Sequence, residues 1–300
     1  MIHTIDLNFL GYPETIATFL LITAQKKLVL IDSGPHATLP KVTEGVQKLG
    51  YQLADIQHVF LTHIHLDHAG AAWAFAQHGA KIYVHPAGHR HLANPEKLMS
   101  SARQIYQNQM DTLWGQMNPI AEEAIQEANH LQKFTIDNLE IIAHHTPGHA
   151  SHHIAWQVGD VVFAGDVAGI KIGSGPVIAP MPPPDIDIEA WQSSIDILKA
   201  LHPKSMFLAH FGEVTNTIPH LEALAANMHQ QANWVREHYE RGETVEEMLP
   251  KFTKFSNQIL QNSGVEDNHL FKYEGANPAF MSVAGLVRYL KKLGLETKNK

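Results

Sequence analysis

The stretch VFLTHIHLDHAGAA, residues 59–72, contains a short apolar strand, a run of ligand-type side chains and the small-residue start of a helix. Four of the six residues from 63 to 68 are of types that bind metals: His63, His65, Asp67 and His68. Alternate residues that leave a strand point the same way, so His63 and His65 can converge on one ion, while the turn redirects Asp67 and His68 towards another. A single histidine at a strand end is more often solvated or caps the next helix. Four such residues in six favour a metal site instead.

The composition limits what kind of metal site this is. The chain has 300 residues, no cysteine, and 22 histidines against 22 lysines plus arginines. Without cysteine there is no disulfide framework and no thiolate ligand, so a metal must be held by His, Asp and Glu. The formal net charge is -8 and the basic residues are scattered, whereas nucleic-acid binders concentrate basic residues to neutralise phosphates. We therefore expect no nucleic-acid partner.

Hydrophobic patterning predicts a mixture of strands and helices up to about residue 212 and helices beyond it. The predicted strands are residues 4–10, 15–23, 27–31, 58–61, 81–84, 134–136, 140–143, 153–157, 161–163 and 206–209. The predicted helices are residues 39–49, 69–77, 188–201, 219–239, 244–260 and 278–292, together with a mostly helical stretch at about 87–132. Residues 170–184 are rich in Pro and Gly and predict an irregular loop. We expect mixed sheets covered by helices.

Details of the last helix also follow from its sequence. Asn277 is expected to cap this helix and Pro278 to occupy its first position. Four residues are spaced so as to share one apolar face, which is expected to face the core: Phe280, Val283, Val287 and Leu290.

Four further ligand-type residues follow apolar, strand-like segments elsewhere in the chain. They are Asp32 after VLI, His149 in TPGH, Asp166 in VFAGD and His210 in FLAH. Taken singly, Asp32 is equally well explained as a turn residue, His149 as a loop residue and His210 as a helix cap. Their joint occurrence beside a histidine-rich turn favours one shared site.

The HxHxDH motif resembles the signature of the metallo-β-lactamase superfamily, and the four further residues stand where that superfamily has its other landmarks, in the same order. The resemblance covers about residues 1–215. It implies an α/β fold, an αββα four-layer sandwich, with residues 1–215 as the catalytic domain. Residues 87–132 would form a helical lid insertion, and residues 216–300 a helical extension packed on the same domain.

The resemblance also implies two divalent metal ions that share seven ligands. One ion would be bound by His63, His65 and His149, and the second by Asp67, His68 and His210, with Asp166 bridging the two. Imidazoles and carboxylates suit zinc, which we predict, although the same donors accept iron or manganese. Asp32 is interpreted as a residue that orients a ligand from behind, with a purely turn-closing role as the alternative.

The implied reaction is hydrolysis. Two ions that share a water lower its pKa and present a hydroxide to a carbonyl carbon, and they also polarise that carbonyl. Asp67 is the expected catalytic residue because it can orient the hydroxide and pass a proton to the leaving group. The predicted enzyme is a binuclear hydrolase of a small ester, lactone or thioester.

Other functions stay open at this stage. A mononuclear-iron oxidoreductase such as a persulfide dioxygenase is the alternative, although the full second ligand set favours two metals. A non-catalytic binding protein is less favoured, because such members usually lose ligands. Glutathione thioesters are also disfavoured as substrates, since the chain shows no obvious basic glutathione-binding segment. β-Lactams are disfavoured because the sequence shows no secretion signal.

The remaining expectations concern specificity, location and assembly. Tyr106, Met110, Trp114 and Met117 could line an apolar mouth, but their helical spacing is more typical of packing. No membrane-spanning helix is expected, and a cytoplasmic location is the default. The sequence leaves open whether the C-terminal helices form a homodimer interface. It also leaves open the roles of four histidines that we do not assign to metal: His144, His145, His152 and His153.

Overall fold

A computed structural model of the chain describes residues 1–294, and its strands form two six-stranded sheets. The strands of the first sheet, in spatial order, are β1 (Ile2–Asp6), β2 (Ala17–Ile22), β3 (Leu28–Ile31), β4 (Ile56–Phe60), β5 (Lys81–Val84) and β6 (Ile125–Glu127). Those of the second are, in chain order, β7 (Lys133–Ile136), β8 (Leu139–His145), β9 (Ile154–Val158), β10 (Val161–Phe163), β11 (Ser205–Leu208) and β12 (Gly212–Val214). The strands from β3 to β6 pair in parallel. Parallel strand ends therefore meet at one edge of the first sheet.

The helices precede, follow and connect these strands. They are α1 (Leu39–Lys48), α2 (Leu66–Ala69), α3 (Ala72–Gln77), α4 (Pro86–Ala93), α5 (Glu96–Tyr106), α6 (Met110–Leu113), α7 (Ile188–Ala200), α8 (Thr217–Glu240), α9 (Val245–Asn262), α10 (Leu270–Ala276) and α11 (Ala279–Lys292). Within residues 1–294, no helix is both long and apolar enough to cross a membrane.

Two compact units make up the chain. The first comprises residues 1–145 and 152–165, and the second comprises residues 146–151 and the chain from Asp166 onwards. The division into a catalytic domain ending at residue 215 and a C-terminal extension stays a prediction.

In the first unit the carboxyl-terminal halves of the central strands β3, β4 and β5 are buried on both faces. Val59 of β4 joins an aliphatic core with Val42 and Val46 of α1, whereas its neighbour Phe60 packs edge-on against Trp156 of β9, with ring centroids 4.9 Å apart. Successive side chains of a strand point to opposite faces. Strands covered on both faces are apolar throughout, which explains the uninterrupted apolar runs in the sequence.

In the second unit α11 packs against α8 and α9, and its start differs from the sequence-based prediction. The helix begins at Ala279, whose N–H donates to the carboxylate of Glu274 at 3.2 Å. Asn277 instead accepts a hydrogen bond from the Ser282 hydroxyl at 3.0 Å. The predicted cap at Asn277 is therefore wrong, because a carboxylate from the preceding helix takes that role. Phe280, predicted to be buried, is 37% exposed.

Other elements also differ from prediction. The predicted helix 69–77 is two helices, and the first begins at Leu66. The stretch 87–132 is α-helical only as far as Leu113, and its last part contains a short 3-10 helix, Glu122–Ala124, followed by β6. Strands β6 and β12, each three residues long, and helix α10 were not predicted. Such short elements depend on their partners, as in the pairing of Ile125 with Ile82 of β5, and carry little periodicity of their own.

We predict that Gly285→Ala destabilises the protein by about 2 kcal/mol, the usual cost of overpacking a core. A Cβ at Gly285 of α11 would overlap the backbone carbonyl of Met181, and this outweighs the gain in helix propensity of up to about 1 kcal/mol. The matched control is Gly275→Ala in α10, where the new Cβ would meet no described atom within 4 Å apart from its chain neighbours and the backbone of its own helix. Urea unfolding should show the first variant weakened and the second unchanged or stabilised; equal effects would contradict the packing argument.

Candidate metal centre

The turn after β4 is held in place by β9. The indole N–H of Trp156 donates to the Leu61 carbonyl at 3.0 Å, and the N–H of Ile154 donates to the Thr62 carbonyl at 2.7 Å. The chain then enters α2, with His65 at the position before its first residue. The first two histidines of the motif therefore lie in an extended turn. Asp67, by contrast, lies in the first turn of a helix.

His63 and His65 present their ring nitrogens to each other. His63 Nε2 and His65 Nδ1 are 2.9 Å apart, and His63 Nδ1 lies 3.1 Å from the Thr62 hydroxyl. His63 is fully buried, while His65 is half-buried. Two converging imidazole nitrogens are what an ion shared by both side chains requires.

Asp32, at the end of β3, lies behind the turn and is 2% exposed. Its Oδ1 accepts a hydrogen bond from the Thr62 N–H at 2.7 Å, and its Oδ2 accepts from the Thr62 hydroxyl at 2.8 Å. Oδ2 also lies 2.9 Å from His68 Nδ1. With Nδ1 held by a carboxylate, the Nε2 atom of His68 is left as the predicted ligand atom. This geometry matches an orienting role for Asp32.

The second unit holds the other three predicted ligands, and they contact one another. His149 Nε2 lies 3.4 Å from Asp166 Oδ2, and His210 Nε2 lies 3.6 Å from Asp166 Oδ1. All three side chains are at least 95% buried. The other ring nitrogen of His149, Nδ1, lies 2.9 Å from the Pro180 carbonyl oxygen and donates to it. One carboxylate thus places one oxygen beside each histidine, as a bridging ligand would.

Gly148 explains how the loop before His149 fits. Its φ is +135°, a conformation that favours glycine, and a Cβ there would overlap Trp191 of α7. Trp191 is fully buried, donates to the Val167 carbonyl at 2.8 Å, and contacts the His149 ring edge-on. A close backbone approach therefore sets the position of His149.

The seven predicted ligands form two groups within residues 1–294. The ligand atoms of His63, His65 and His149 lie within 4.8 Å of one another, and so do those of Asp67, His68, Asp166 and His210. Asp32 belongs to neither group. Neutral imidazoles and carboxylates at such distances are a donor set that suits divalent transition metals. The residues fit a divalent metal centre; the role of each one stays a prediction.

A family comparison agrees with this geometry. The family model of the metallo-beta-lactamase superfamily matches residues 12–210. The chain belongs to this superfamily. Its fold class is confirmed: the metallo-beta-lactamase fold, mixed α and β with two sheets, and with helices that include those at the C-terminus.

Individual relatives in the superfamily are distant. The curated metallo-beta-lactamase fold-containing protein ST1585 of Sulfurisphaera tokodaii is 28% identical over 238 residues, which are 77% of this chain and 87% of that protein. The crystal structure of ST1585 superposes with a TM-score of 0.62 at 25% identity, over 77% of this chain and 85% of that one. The metallo-beta-lactamase family protein TTHA1429 of Thermus thermophilus reaches 0.68 at 22% identity, over 98% and 94% of the two chains. The last likeness shows the fold alone.

The four unassigned histidines divide into two pairs. His152 and His153 are buried, and their rings lie 6.2 and 5.1 Å from that of His63. His144 Nε2 lies 2.8 Å from the Gln157 side chain, and His145 Nε2 lies 2.8 Å from the Ala128 carbonyl. The first pair borders the superfamily motif, while the second pair takes part in strand-end hydrogen bonds away from it.

Tyr106, at the end of α5, was predicted to pack rather than to act. Its ring packs against Trp114 with centroids 5.1 Å apart. Burial raises the pKa of its hydroxyl, and the Asp67 carboxylate raises it further. This coupling to Asp67 connects the stretch 87–132 with the motif. Met110 and Met117 instead lie in the aliphatic core.

We predict that Asp32→Asn weakens zinc binding by about 10–100-fold, because an amide cannot accept from Thr62 and His68 as the carboxylate does. The measurement is titration of metal-free protein in competition with a chromophoric chelator. Asp6→Asn is the matched control, since Asp6 also ends a strand and accepts two backbone hydrogen bonds, but from Asn8 and Glu14. Unchanged affinity in Asp32→Asn would contradict its orienting role.

A pH-dependent contribution to stability is predicted at His85. Burial and the neighbouring His145 lower the pKa of His85 to about 4, below the usual value of about 6.5. As the pH falls, the His85 imidazole is therefore protonated in the unfolded chain before it is protonated in the folded one. The contribution of His85 to the free energy of unfolding is lost as the pH falls from about 6.5 through 4. His85→Asn keeps a capping acceptor for Ala87 and should lose less stability over this interval.

Urea unfolding from pH 7.5 to 4 checks the His85 prediction. Similar stability of wild type and His85→Asn at pH 7.5 is the control for an intact cap. Parallel curves down to pH 4 would show that His85 is not the titrating group.

Proposed function

We propose that this protein is a metal-dependent hydrolase that cleaves a carboxylic ester, lactone or thioester of a small molecule. The observation that carries the proposal is the pair of ligand groups, whose imidazole and carboxylate atoms lie within 4.8 Å of one another in each group. Membership of a superfamily named for a hydrolase supports the reaction class. With no cysteine in the chain, a thiolate nucleophile is excluded.

Each ligand group would bind one of two metal ions. His63, His65 and His149 would hold one, and Asp67, His68 and His210 the other, with Asp166 between them. When bound there, divalent ions supply a Lewis acid and an activated water at neutral pH. Zinc is the metal we propose, because three imidazoles around one ion are a common catalytic zinc set.

Asp67 is the residue we propose for proton transfer. Its side chain is 19% exposed, unlike the fully buried His68, and its Oδ2 lies 3.7 Å from His68 Nε2. A partly exposed carboxylate beside buried ligands can take a proton from a water and release it to a leaving group. The Tyr106 hydroxyl, whose pKa is raised by burial and by the Asp67 carboxylate, is a further hydrogen-bond donor.

The substrate is proposed to be a small molecule without a nucleic-acid component. The chain carries a net charge of -8, which opposes binding of a polyanion. Its likeness to the subclass B3 metallo-beta-lactamase MEM-A1 has a TM-score of 0.57 at 17% identity and shows the fold alone, so β-lactams are test substrates only. A cytoplasmic location and a homodimer stay predictions.

We predict that Asp67→Asn lowers kcat on the best of a panel of aryl esters, lactones and thioesters by about 10²–10⁴-fold, the usual effect of a general acid–base. His65→Ala and chelator treatment should abolish the activity. Asp196→Asn is the control, because Asp196 is an exposed residue of α7 that contacts Gln192. Hydrolysis that survives both chelator and His65→Ala would refute the proposed site.

Metal analysis separates this proposal from its alternative. We expect about two zinc ions per chain, because both ligand groups are complete. The control is His210→Ala, which should reduce the content to one. A single iron in the wild-type protein, with oxygen uptake on a persulfide, would instead establish an oxidoreductase.

A further inference from the structure

An irregular segment, residues 170–180, connects with two of the predicted metal ligands. The Pro180 carbonyl accepts a hydrogen bond from His149 Nδ1 at 2.9 Å. At the other end, the N–H of Lys171 donates to the His210 carbonyl at 2.6 Å, and the N–H of Phe211 donates to the Lys171 carbonyl at 3.2 Å. This segment, called the bridging segment below, therefore contacts both histidines through its backbone.

The bridging segment is a loop that needs support from outside. Its own regular pairing is one isolated bridge, in which Ile170 and Ile178 exchange hydrogen bonds of 2.8 and 2.9 Å. A loop without a continuous ladder is held by side chains or by water, since its backbone groups must find partners. The supporting side chains come from α8 and α10.

Two buried amides of α8 hold the end next to His149. Asn227 Oδ1 accepts from the Ala179 N–H at 2.9 Å, and Gln231 Nε2 donates to the Ala179 carbonyl at 3.2 Å. Gln231 also donates to Asn227 Oδ1 at 2.6 Å. Asn227 is 7% and Gln231 2% exposed. Both peptide groups of Ala179 are thus fixed one residue before the carbonyl that orients His149.

A buried tyrosine of α10 holds the end next to His210. The Tyr273 hydroxyl accepts from the Ile172 N–H at 3.2 Å and donates to the Pro176 carbonyl at 2.9 Å. Burial raises the pKa of Tyr273 to about 12, so the hydroxyl keeps the proton it donates. A Cβ at Gly175 would overlap this hydroxyl. Ile172 directly follows Lys171, the residue paired with His210.

Polar groups are costly to bury unless each is hydrogen-bonded. A helix that only packed on a loop would do so with apolar side chains. Here Asn227 and Tyr273 direct their polar atoms at backbone groups next to those that contact His149 and His210. We propose that Asn227, Gln231 and Tyr273 are positioning residues, which set the orientation of two metal ligands through the bridging segment. This inference rests on the proposed function, since it assumes that both histidines bind metal.

The two ends make distinct predictions. Asn227→Leu removes the acceptor for the Ala179 N–H and should weaken binding of the ion that His149 is proposed to hold. Tyr273→Phe removes the hydroxyl that hydrogen-bonds Ile172 and Pro176. It should weaken binding of the ion that His210 is proposed to hold. We expect each variant to lose about tenfold in zinc affinity at one binding step, the lower end of what partners behind metal ligands contribute.

The test is zinc titration of metal-free full-length protein against a chromophoric chelator. Asn227→Asp keeps the Oδ1 acceptor and should restore the wild-type affinity. Val235→Ala, a fully buried residue of α8, is the control for general destabilisation and should bind zinc normally despite a lower Tm. Proton NMR of the cobalt-substituted protein can follow the Nδ1 proton of His149. This proton should exchange with water faster in Asn227→Leu than in Val235→Ala.

Amide hydrogen exchange of the metal-free protein, followed in peptides that cover residues 170–180, measures how firmly the backbone of the bridging segment is hydrogen-bonded. Faster exchange in Asn227→Leu and Tyr273→Phe than in Val235→Ala, together with the affinity losses, would establish the inference. Wild-type affinity in both variants, or an equal loss in Val235→Ala, would overturn it. If the wild-type protein binds no zinc, the proposed function is wrong. The inference about positioning residues, which rests on it, is then wrong as well.

Discussion

The candidate site depends on one buried carboxylate at a strand end. Asp32 follows β3, and the parallel pairing of Ile31 with Phe60 brings it next to the residues that leave β4. Burial of an ionised carboxylate is unfavourable unless hydrogen bonds replace its water. Here the N–H and hydroxyl of Thr62 and the ring of His68 do so. The backbone of Asp32 is left-handed, with φ +56°, which Asp tolerates better than most residues. The sheet register thereby fixes the histidine turn.

The histidines that bear the predicted ligand atoms are held from behind in two ways. His68 is held by the Asp32 carboxylate and His149 by the neutral carbonyl of Pro180. In both cases the bond occupies Nδ1 and leaves Nε2 as the predicted ligand atom. A carboxylate partner increases the basicity of the ring more than a carbonyl does, because it stabilises positive charge on the imidazole. The two predicted ligands therefore differ in the charge of the group that orients them.

The sequence predicted those features that residue type alone determines. The bounds of β5 and β10 were predicted correctly because both are short apolar runs between turn residues. The candidate ligands at the strand ends were recognisable because few residue types bind metal. The supports of His149 and His210 were not, since Pro180 and Lys171 contribute backbone groups that any residue carries. Asn227 and Gln231 resemble the polar face of an ordinary helix until the helix is seen to pack on a loop.

The same distinction bears on specificity. Of the four side chains considered for an apolar mouth, Met110 and Met117 belong to the core, and Trp114 stacks on Phe9 at 5.6 Å. Packing thus accounts for three of them. Tyr106 differs because its hydroxyl is electrostatically coupled to Asp67. The stretch 87–132 is therefore connected with the motif through Tyr106, whose ring packs against Trp114.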